Sequence, residues 1–308
     1  MYDLVIIGGG PAGVAAGVYA ARKKLKTLFI AETIGGQSMD SSDIQNWIGT
    51  QHISGMGFAK ELEMHLRAYA ADVVDINLSE RAQKVERSGD GFEVKTTKGS
   101  YTAKAVLLAT GGVRQKLEVP GAKEFENKGL TYCASCDGPL FSGQDVAVVG
   151  GGNAGFETAA QLLAYCKSVT LLARSDFSKA DAATVEAVLK DPRMKALPYT
   201  VPVEVKGSGF VSALVVENTN TKEKSEIPVS GIFVEIGMMP ATELVKELIE
   251  LDEFNRVKVN PKNQHTSVEG VWAAGDCTDE LYHQNNIAAG DGVKALEDIY
   301  FWLKSRKS

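Results

Sequence analysis

A chain of 308 residues, 44% of them hydrophobic, is long enough for about two domains with real cores, which argues against a disordered chain. Its net charge of −6 and pI near 5.4, with no stripe of Lys and Arg, argue against a nucleic-acid partner. The chain has no apolar run of ~20 residues to span a bilayer and no charged, then apolar, leader. Its four cysteines suit thiol chemistry or buried packing better than a disulfide framework, so the expected location is the cytoplasm.

Residues 4–7 (Leu-Val-Ile-Ile) read as a short apolar strand, Gly8-Gly9-Gly10-Pro11-Ala12-Gly13 as a tight turn, and residues 14–22 as an alanine-rich helix. A second strand follows at 27–30. In such a unit Gly8 permits the turn, Gly10 lets the backbone approach a pyrophosphate and Gly13 lets helix and strand pack closely, with the helix N-terminus facing the phosphates. Glu32, just past the second strand, is the candidate for a ribose hydroxyl, although the usual acid position falls nearer Ala31. Strands at 91–97 and 100–108 meet at a turn around Lys98-Gly99, and the second runs into Ala109-Thr110-Gly111-Gly112, which brings the chain back to the first nucleotide.

The same pattern then repeats. A strand at 146–149 leads into Gly150-Gly151-Gly152-Asn153-Ala154-Gly155, a helix at 156–165 and a strand at 169–172, which makes a second dinucleotide site. Further strands are expected at 201–206, 211–218 and 231–236, with Gly237-Met238-Met239-Pro240 as a crossing point between domains. Near the end, Gly270-Val271-Trp272-Ala273-Ala274-Gly275-Asp276 reads as a buried strand ending in a Gly-Asp turn, followed by a helix over 287–303. This strand and helix would complete the first module and make it discontinuous.

Between the two fingerprints lies Cys133-Ala134-Ser135-Cys136, followed at once by Asp137-Gly138. Two cysteines at this spacing can close a disulfide ring with little backbone movement and cycle between dithiol and disulfide. Half of a four-cysteine zinc site looks identical. Cys166 and Cys277, however, stand singly with no second C-x-x-C or H-x-x-x-H beside them, so no metal is expected, and both read as small buried hydrophobes.

These segments, in this order, resemble the low-molecular-weight thioredoxin reductase family over essentially the whole chain. The matching pieces are Gly8 to Gly13, Gly35-Gly36-Gln37, Asn46-Trp47-Ile48-Gly49, Ala109-Thr110-Gly111, Cys133 to Gly138, Gly150 to Glu157, Gly275-Asp276 and Tyr282-His283-Gln284. The resemblance implies an α/β fold of two Rossmann-like three-layer nucleotide-binding domains. One is a discontinuous FAD domain of residues 1–113 and 245–308; the other is an NAD(P)H domain of residues 116–242 carrying the dithiol. It also implies a homodimer. For FAD it implies Gly8, Gly10, Pro11, Ala12, Gly13, Glu32, Gly36, Gln37, Asn46, Ala109, Thr110, Gly111, Gly275, Asp276, Gln284, Asn285 and Ile287. For the pyridine nucleotide it implies Gly150, Gly152, Asn153, Ala154, Gly155, Glu157, Arg174, Ser175 and Lys179. Without the resemblance, Asp276, Gln37 and Asn46 could equally be turn or capping residues. The implied roles of the dithiol are Cys136 as the sulfur nearest the flavin, Cys133 as the sulfur that exchanges with the protein substrate, and Asp137 as proton donor and acceptor. One flavin must then meet both nicotinamide and dithiol, so hinges are expected near residues 111–115 and 237–242.

Two departures bear on the partners. Members specific for NADPH usually carry His-Arg-Arg after the strand and a further Arg beyond; this chain reads Ala173-Arg174-Ser175 and then Lys179. Arg174, Ser175 and Lys179 can still contact a 2′-phosphate, and no acid stands at Ala173 to grip a 2′-hydroxyl, so NADPH is expected with NADH possible. Lys179-Ala180-Asp181 is closer to the flavoprotein subunit of alkyl hydroperoxide reductase, and His283 replaces the basic residue usual before Gln284. Those relatives carry an extra N-terminal dithiol module, whereas this chain opens at the FAD strand, so a separate acceptor is expected: thioredoxin or a thioredoxin- or glutaredoxin-like protein. The alternatives are an NADH-dependent reductase of a peroxidase-linked acceptor, a ferredoxin-NADP reductase-like flavoprotein, disfavoured by the dithiol, and a sensor flavoprotein.

Overall fold

The computed structural model describes residues 1–306 other than Ser42 and Lys179, with the side chain of Asp40 also outside the description. In chain order the elements begin with β1 (Tyr2–Ile7), α1 (Pro11–Arg22), β2 (Thr27–Ala31), α2 (Gly55–Ala70) and β3 (Val74–Leu78). They continue with β4 (Ala82–Ser88), β5 (Gly91–Thr96), β6 (Ser100–Leu108) and β7 (Gly112–Arg114). Next come β8 (Leu130–Thr131), α3 (Ala134–Asp137), β9 (Asp145–Val149), α4 (Asn153–Leu162), β10 (Ser168–Leu172), α5 (Ala182–Leu189) and β11 (Met194–Leu197). The last are β12 (Thr200–Ser208), β13 (Phe210–Asn218), β14 (Lys224–Pro228), β15 (Gly231–Val234), β16 (Met238–Pro240), β17 (Val271–Ala273) and α6 (Asn285–Ser305). The chain divides into two compact units, Met1–Val113 with Met239–Ser308, and Arg114–Met238.

The first unit holds a sheet of order β3-β2-β1-β6-β5-β4, with β17 also paired to β6. The β3, β2, β1, β6 and β17 pairings are parallel, and β4-β5-β6 is an antiparallel meander. Buried strands alternate between the two faces. Leu4, Ile6, Phe29, Leu107 and Trp272 join Val14, Ala16, Ala20, Leu296 and Ile299 of the helices, whereas Val5, Ile7, Leu28, Val106 and Val271 join Phe92, Val94 and Val245 on the opposite face. The second unit has a wholly parallel sheet, β11-β10-β9-β15-β8, and a separate antiparallel sheet, β12-β13-β14. In each unit the strand order reverses direction beside the strand that precedes the glycine turn, the switch point at which open α/β sheets take ligands.

Both fingerprint helices start earlier than the spacing suggests, at Pro11 and Asn153, because glycine N-caps and a proline at the first helical position lie inside the motif itself. Residues 55–70 form a helix the sequence reading missed: two of its first three residues are glycines, although Phe58, Leu62, Leu66 and Ala70 fall four apart along the face it buries. Ser54 caps it by accepting from Gly57 N–H at 3.1 Å.

Candidate active site

In the first unit, β1 ends at Gly8, whose φ of +122° favours glycine; a Cβ there would lie 2.0 Å from the Ala109 carbonyl oxygen. A Cβ on Gly13 would likewise lie 2.0 Å from the Gly8 oxygen, so α1 can sit on this turn only without side chains at both places. Gly10 is the opposite case. Its φ is −75° and a Cβ would meet nothing within 4 Å, so the space over its backbone is open, as it is over Gly111. The first turn of α1 has no side-chain cap and no acid, which leaves its N–H groups available to an anion.

Other predicted residues converge on this turn. A Cβ on Gly36 would lie 3.3 Å from Gly10 Cα, while one on Gly275 would meet the Ala288 and Ala12 methyls at 3.2 and 3.3 Å. Asn46 donates to Gln284 Oε1 at 3.1 Å, Asn286 donates to the Asn46 carbonyl at 2.7 Å, and the Ser38 hydroxyl donates to Asn285 Oδ1 at 2.7 Å. These bonds tie the 36–48 segment to the start of α6, beside half-buried Asp276 and partly exposed Ile287. Gln37 is exposed. Thr110 Oγ1 is buried beside the Cys277 thiol and has no hydrogen-bond partner of ordinary geometry. An orphaned hydroxyl, open glycine backbone and an uncapped helix fit a polar, phosphate-bearing group. Glu32 is exposed with Arg81 Nε 4.0 Å away, and it is the Thr33 carbonyl that packs against Gly9.

The second unit repeats the device. Gly150 has φ +141°, and a Cβ would lie 2.1 Å from the Glu235 oxygen; one on Gly155 would lie 1.9 Å from the Gly150 oxygen, and one on Gly152 would meet nothing. Helix α4 starts at Asn153 without a side-chain cap or an acid in its first turn. The Asn153 side chain accepts from Asp181 N–H at 2.7 Å and so braces the loop after β10; Ala154 and Glu157 are exposed. Arg174 and Ser175 are exposed in that loop, where the Ser175 hydroxyl donates to the Asp176 carbonyl at 3.2 Å. Hydrogen bonds from Ser178 hold the Asp176 carboxyl below its usual range. Lys179 lies outside the described residues.

The dithiol belongs to this same unit. Cys133 and Cys136 form a disulfide across 5.3 Å of Cα separation. Cys133 is the N-cap of α3, and Cys136 N–H donates to its sulfur at 3.2 Å. An amide aimed at that sulfur favours the thiolate once the bond opens. Asp137 N–H donates to the Cys133 carbonyl at 3.1 Å, and the hydroxyl of Thr131, at the end of β8, donates to Asp137 Oδ2. Thr131 is a residue the sequence reading missed, though its place two residues before Cys133 was visible. Burial pushes the Cys166 thiol up to about 11 and raises that of Cys277, so neither is primed as a nucleophile.

A family profile described as pyridine nucleotide-disulphide oxidoreductase matches residues 2–292. The chain belongs to that family. This oxidoreductase is 40% identical over 296 residues to an alkyl hydroperoxide reductase subunit of Pseudomonas aeruginosa, covering 96% of the chain and 57% of the relative. It is 38% identical over 303 residues to an NADH dehydrogenase of Bacillus subtilis, covering 98% of the chain and 58% of that relative. The chain thus spans less than two thirds of the curated relatives it matches. Among solved structures, thioredoxin reductase from Streptococcus pyogenes superposes with a TM-score of 0.91 at 35% identity, covering 99% of both chains. That from Giardia duodenalis gives 0.93 at 31% identity, covering 98% of this oxidoreductase and 99% of the other chain. The two Rossmann-like domains expected from the sequence are therefore the fold, and the enzyme class is that of the family. No described helix of the oxidoreductase is long and apolar enough to cross a membrane.

Proposed function

We propose that this oxidoreductase carries two electrons from NADPH, through FAD held at the first fingerprint, to Cys133–Cys136 and on to the disulfide of a thioredoxin- or glutaredoxin-like protein. The observation that carries this reading is the dithiol with its own acid: Cys133 receives an amide N–H, and Asp137 is held by Thr131 one residue from Cys136. Bound FAD would supply the hydride acceptor that links a nicotinamide to a disulfide. Gly10, Gly111, Thr110 and the start of α1 would hold its phosphate-bearing part, and Asp276, Gln284, Asn285 and Asn46 the remainder. Gly150, Gly152 and the start of α4 would hold the coenzyme, with Arg174 and Ser175 at its 2′-phosphate.

Each turnover consumes NADPH, one proton and a disulfide, and yields NADP⁺ and two thiols. Cys136 takes the first electron pair as the S–S bond opens, Cys133 leaves as the thiolate favoured by Cys136 N–H, and Asp137 moves the proton that each thiol gains or loses. Cys133 then attacks the acceptor disulfide, and Cys136 resolves the mixed disulfide. The crossings at residues 111–115 and 237–242 take up the motion that lets one flavin serve nicotinamide and dithiol in turn.

A second reading, reduction of a peroxidase-linked acceptor with NADH, is favoured by the higher identity to the alkyl hydroperoxide reductase relative. The test mixes the purified holoprotein with NADPH or NADH and a panel of thioredoxin-like proteins, including peroxidase-coupled ones, and follows nicotinamide oxidation. Cys133→Ser and Cys136→Ser should each stop disulfide reduction yet leave oxidation of coenzyme by a small artificial acceptor. Disulfide reduction that survives either substitution overturns the proposal.

A further inference from the structure

Glu235 is the first residue beyond β15, and its N–H still donates to the Val149 carbonyl at 2.8 Å, which continues the parallel pairing to the point where the second fingerprint begins. Its own carbonyl closes against Gly150. Phe233 points to the α4 side of the sheet and Val234 to the other, so alternation returns Glu235 to the α4 side. There the Thr158 hydroxyl, on α4, donates to Oε1 at 3.1 Å, and Arg114 Nη1 stands 4.0 Å from the same oxygen. Both contacts fall on Oε1.

A carboxyl that is 81% shielded from solvent, with one hydroxyl and one distant guanidinium, is poorly compensated for the water it has lost. Burial raises its proton affinity, and the neighbouring Glu157 adds to this; Arg114 and Thr158 oppose it. Nothing in the packing of β15 asks for an acid here, since Gly231, Ile232, Phe233 and Val234 before it are apolar and buried.

Position suggests what the acid is for. The strand order β10-β9-β15 sets the ends of β10 and β15 on opposite sides of β9, whose Gly150 turn receives the phosphates. A dinucleotide laid across these strand ends with its adenosine half toward Arg174 and Ser175 must send the other half over the end of β15. We propose that Glu235 is the positioning residue for the nicotinamide-riboside half of the coenzyme, its carboxylate accepting hydrogen bonds from the ribose hydroxyls. This rests on the coenzyme reading of the second fingerprint. The Thr158 hydroxyl and Arg114 both face Oε1, so Oε2 is the oxygen assigned to the vicinal hydroxyls.

The test is binding rather than turnover, on the full-length holoprotein, by calorimetry. Parent, Glu235→Ala and Glu235→Gln are titrated with NADPH and NADH, and with 2′,5′-ADP and ADP, which lack the nicotinamide riboside. A lost hydrogen bond to a charged group is worth roughly tenfold or more in affinity. Glu235→Ala should therefore weaken both whole coenzymes about tenfold while the two fragments bind as to the parent. Glu235→Gln, which keeps one acceptor oxygen and the shape, should recover part of the loss. Equal weakening of coenzymes and fragments, or unchanged binding of all four ligands, would overturn the assignment. A parent protein that binds neither coenzymes nor fragments would overturn the coenzyme reading itself and this assignment with it. Circular dichroism melts of each variant separate a loss of fold from a loss of contact, and coenzyme weakening that tracks a loss of fold counts against the proposal.

Discussion

Gly10 and Gly13 lie three residues apart in one turn, yet their replacement by alanine should fail in different ways. At Gly13 the new Cβ would sit 2.0 Å from the Gly8 oxygen, against about 3.4 Å for an ordinary contact, so α1 must move outward by more than 1 Å. Overpacking of this kind costs about 1–3 kcal/mol of fold stability. At Gly10 the Cβ meets nothing and φ is −75°, a value alanine adopts freely. Alanine is a poorer N-cap than glycine by several tenths of a kcal/mol, which the ~0.4–1 kcal/mol lost from unfolded-state freedom offsets. Gly10→Ala should thus leave the apo protein within about 0.5 kcal/mol of the parent. What it should lose is the close approach of a phosphate oxygen, and with it one charge-assisted hydrogen bond of about 1.5–3 kcal/mol, a roughly ten- to hundredfold weaker FAD affinity. Urea denaturation of the apo proteins and flavin-fluorescence titration separate the two terms. Unchanged FAD affinity in Gly10→Ala, or an apo destabilisation equal to that of Gly13→Ala, would refute the division of roles.

Three further outcomes are expected. Asp137→Asn should keep FAD bound and coenzyme oxidation by an artificial acceptor intact while slowing acceptor-disulfide reduction by ~10² to 10⁴; stopped-flow rates that match the parent would reduce Asp137 to a turn residue. Arg174→Ala should raise KM for NADPH about tenfold and leave that for NADH nearly unchanged, and equal effects on both would remove Arg174 from the 2′-phosphate. Asp291, buried on α6 against Gln264, Lys294 and Glu280, has its carboxyl raised above 3.8 chiefly by burial. The native state then holds this proton more tightly than the unfolded chain, so its contribution is complete below about pH 3.8 and is lost as pH rises through the native value. In urea midpoints across pH 3 to 7, Asp291→Asn should gain on the parent as pH rises; a difference that is flat with pH would contradict the burial argument.

The glycine turns were legible because they are local: strand, turn and helix fall within about twenty residues, and each glycine answers to a neighbour in the same motif. The dithiol was legible for the same reason. The bonds that join Ser38 to Asn285 and Asn46 to Asn286 span 247 and 240 residues, and no spacing rule reaches so far. Helix α2 was hidden by glycines where a helix should show its best formers, and β14 by exposed charge, since four of its five residues are exposed. Glu235 was visible only as one letter in a strand. Its interest comes from the strand order, which brings residue 235 beside Gly150.

The discontinuous first unit also has a consequence for how the molecule is made. Strand β6 is flanked on one side by two partners in succession: β5 covers its Ser100 to Ala103 half, and β17 covers Val106 to Leu108. The second partner leaves the ribosome some 165 residues after β6, behind an entire inserted unit whose sheet is built from contiguous sequence. The inserted unit can therefore reach its final form while its host is still missing a strand and its longest helix. Until then Val106, Leu107 and Leu108 present bare backbone along an apolar edge, the kind of surface that pairs with strangers. Synthesis thus imposes an order on this enzyme, with the sheet of the dithiol unit complete before the sheet of the unit around it.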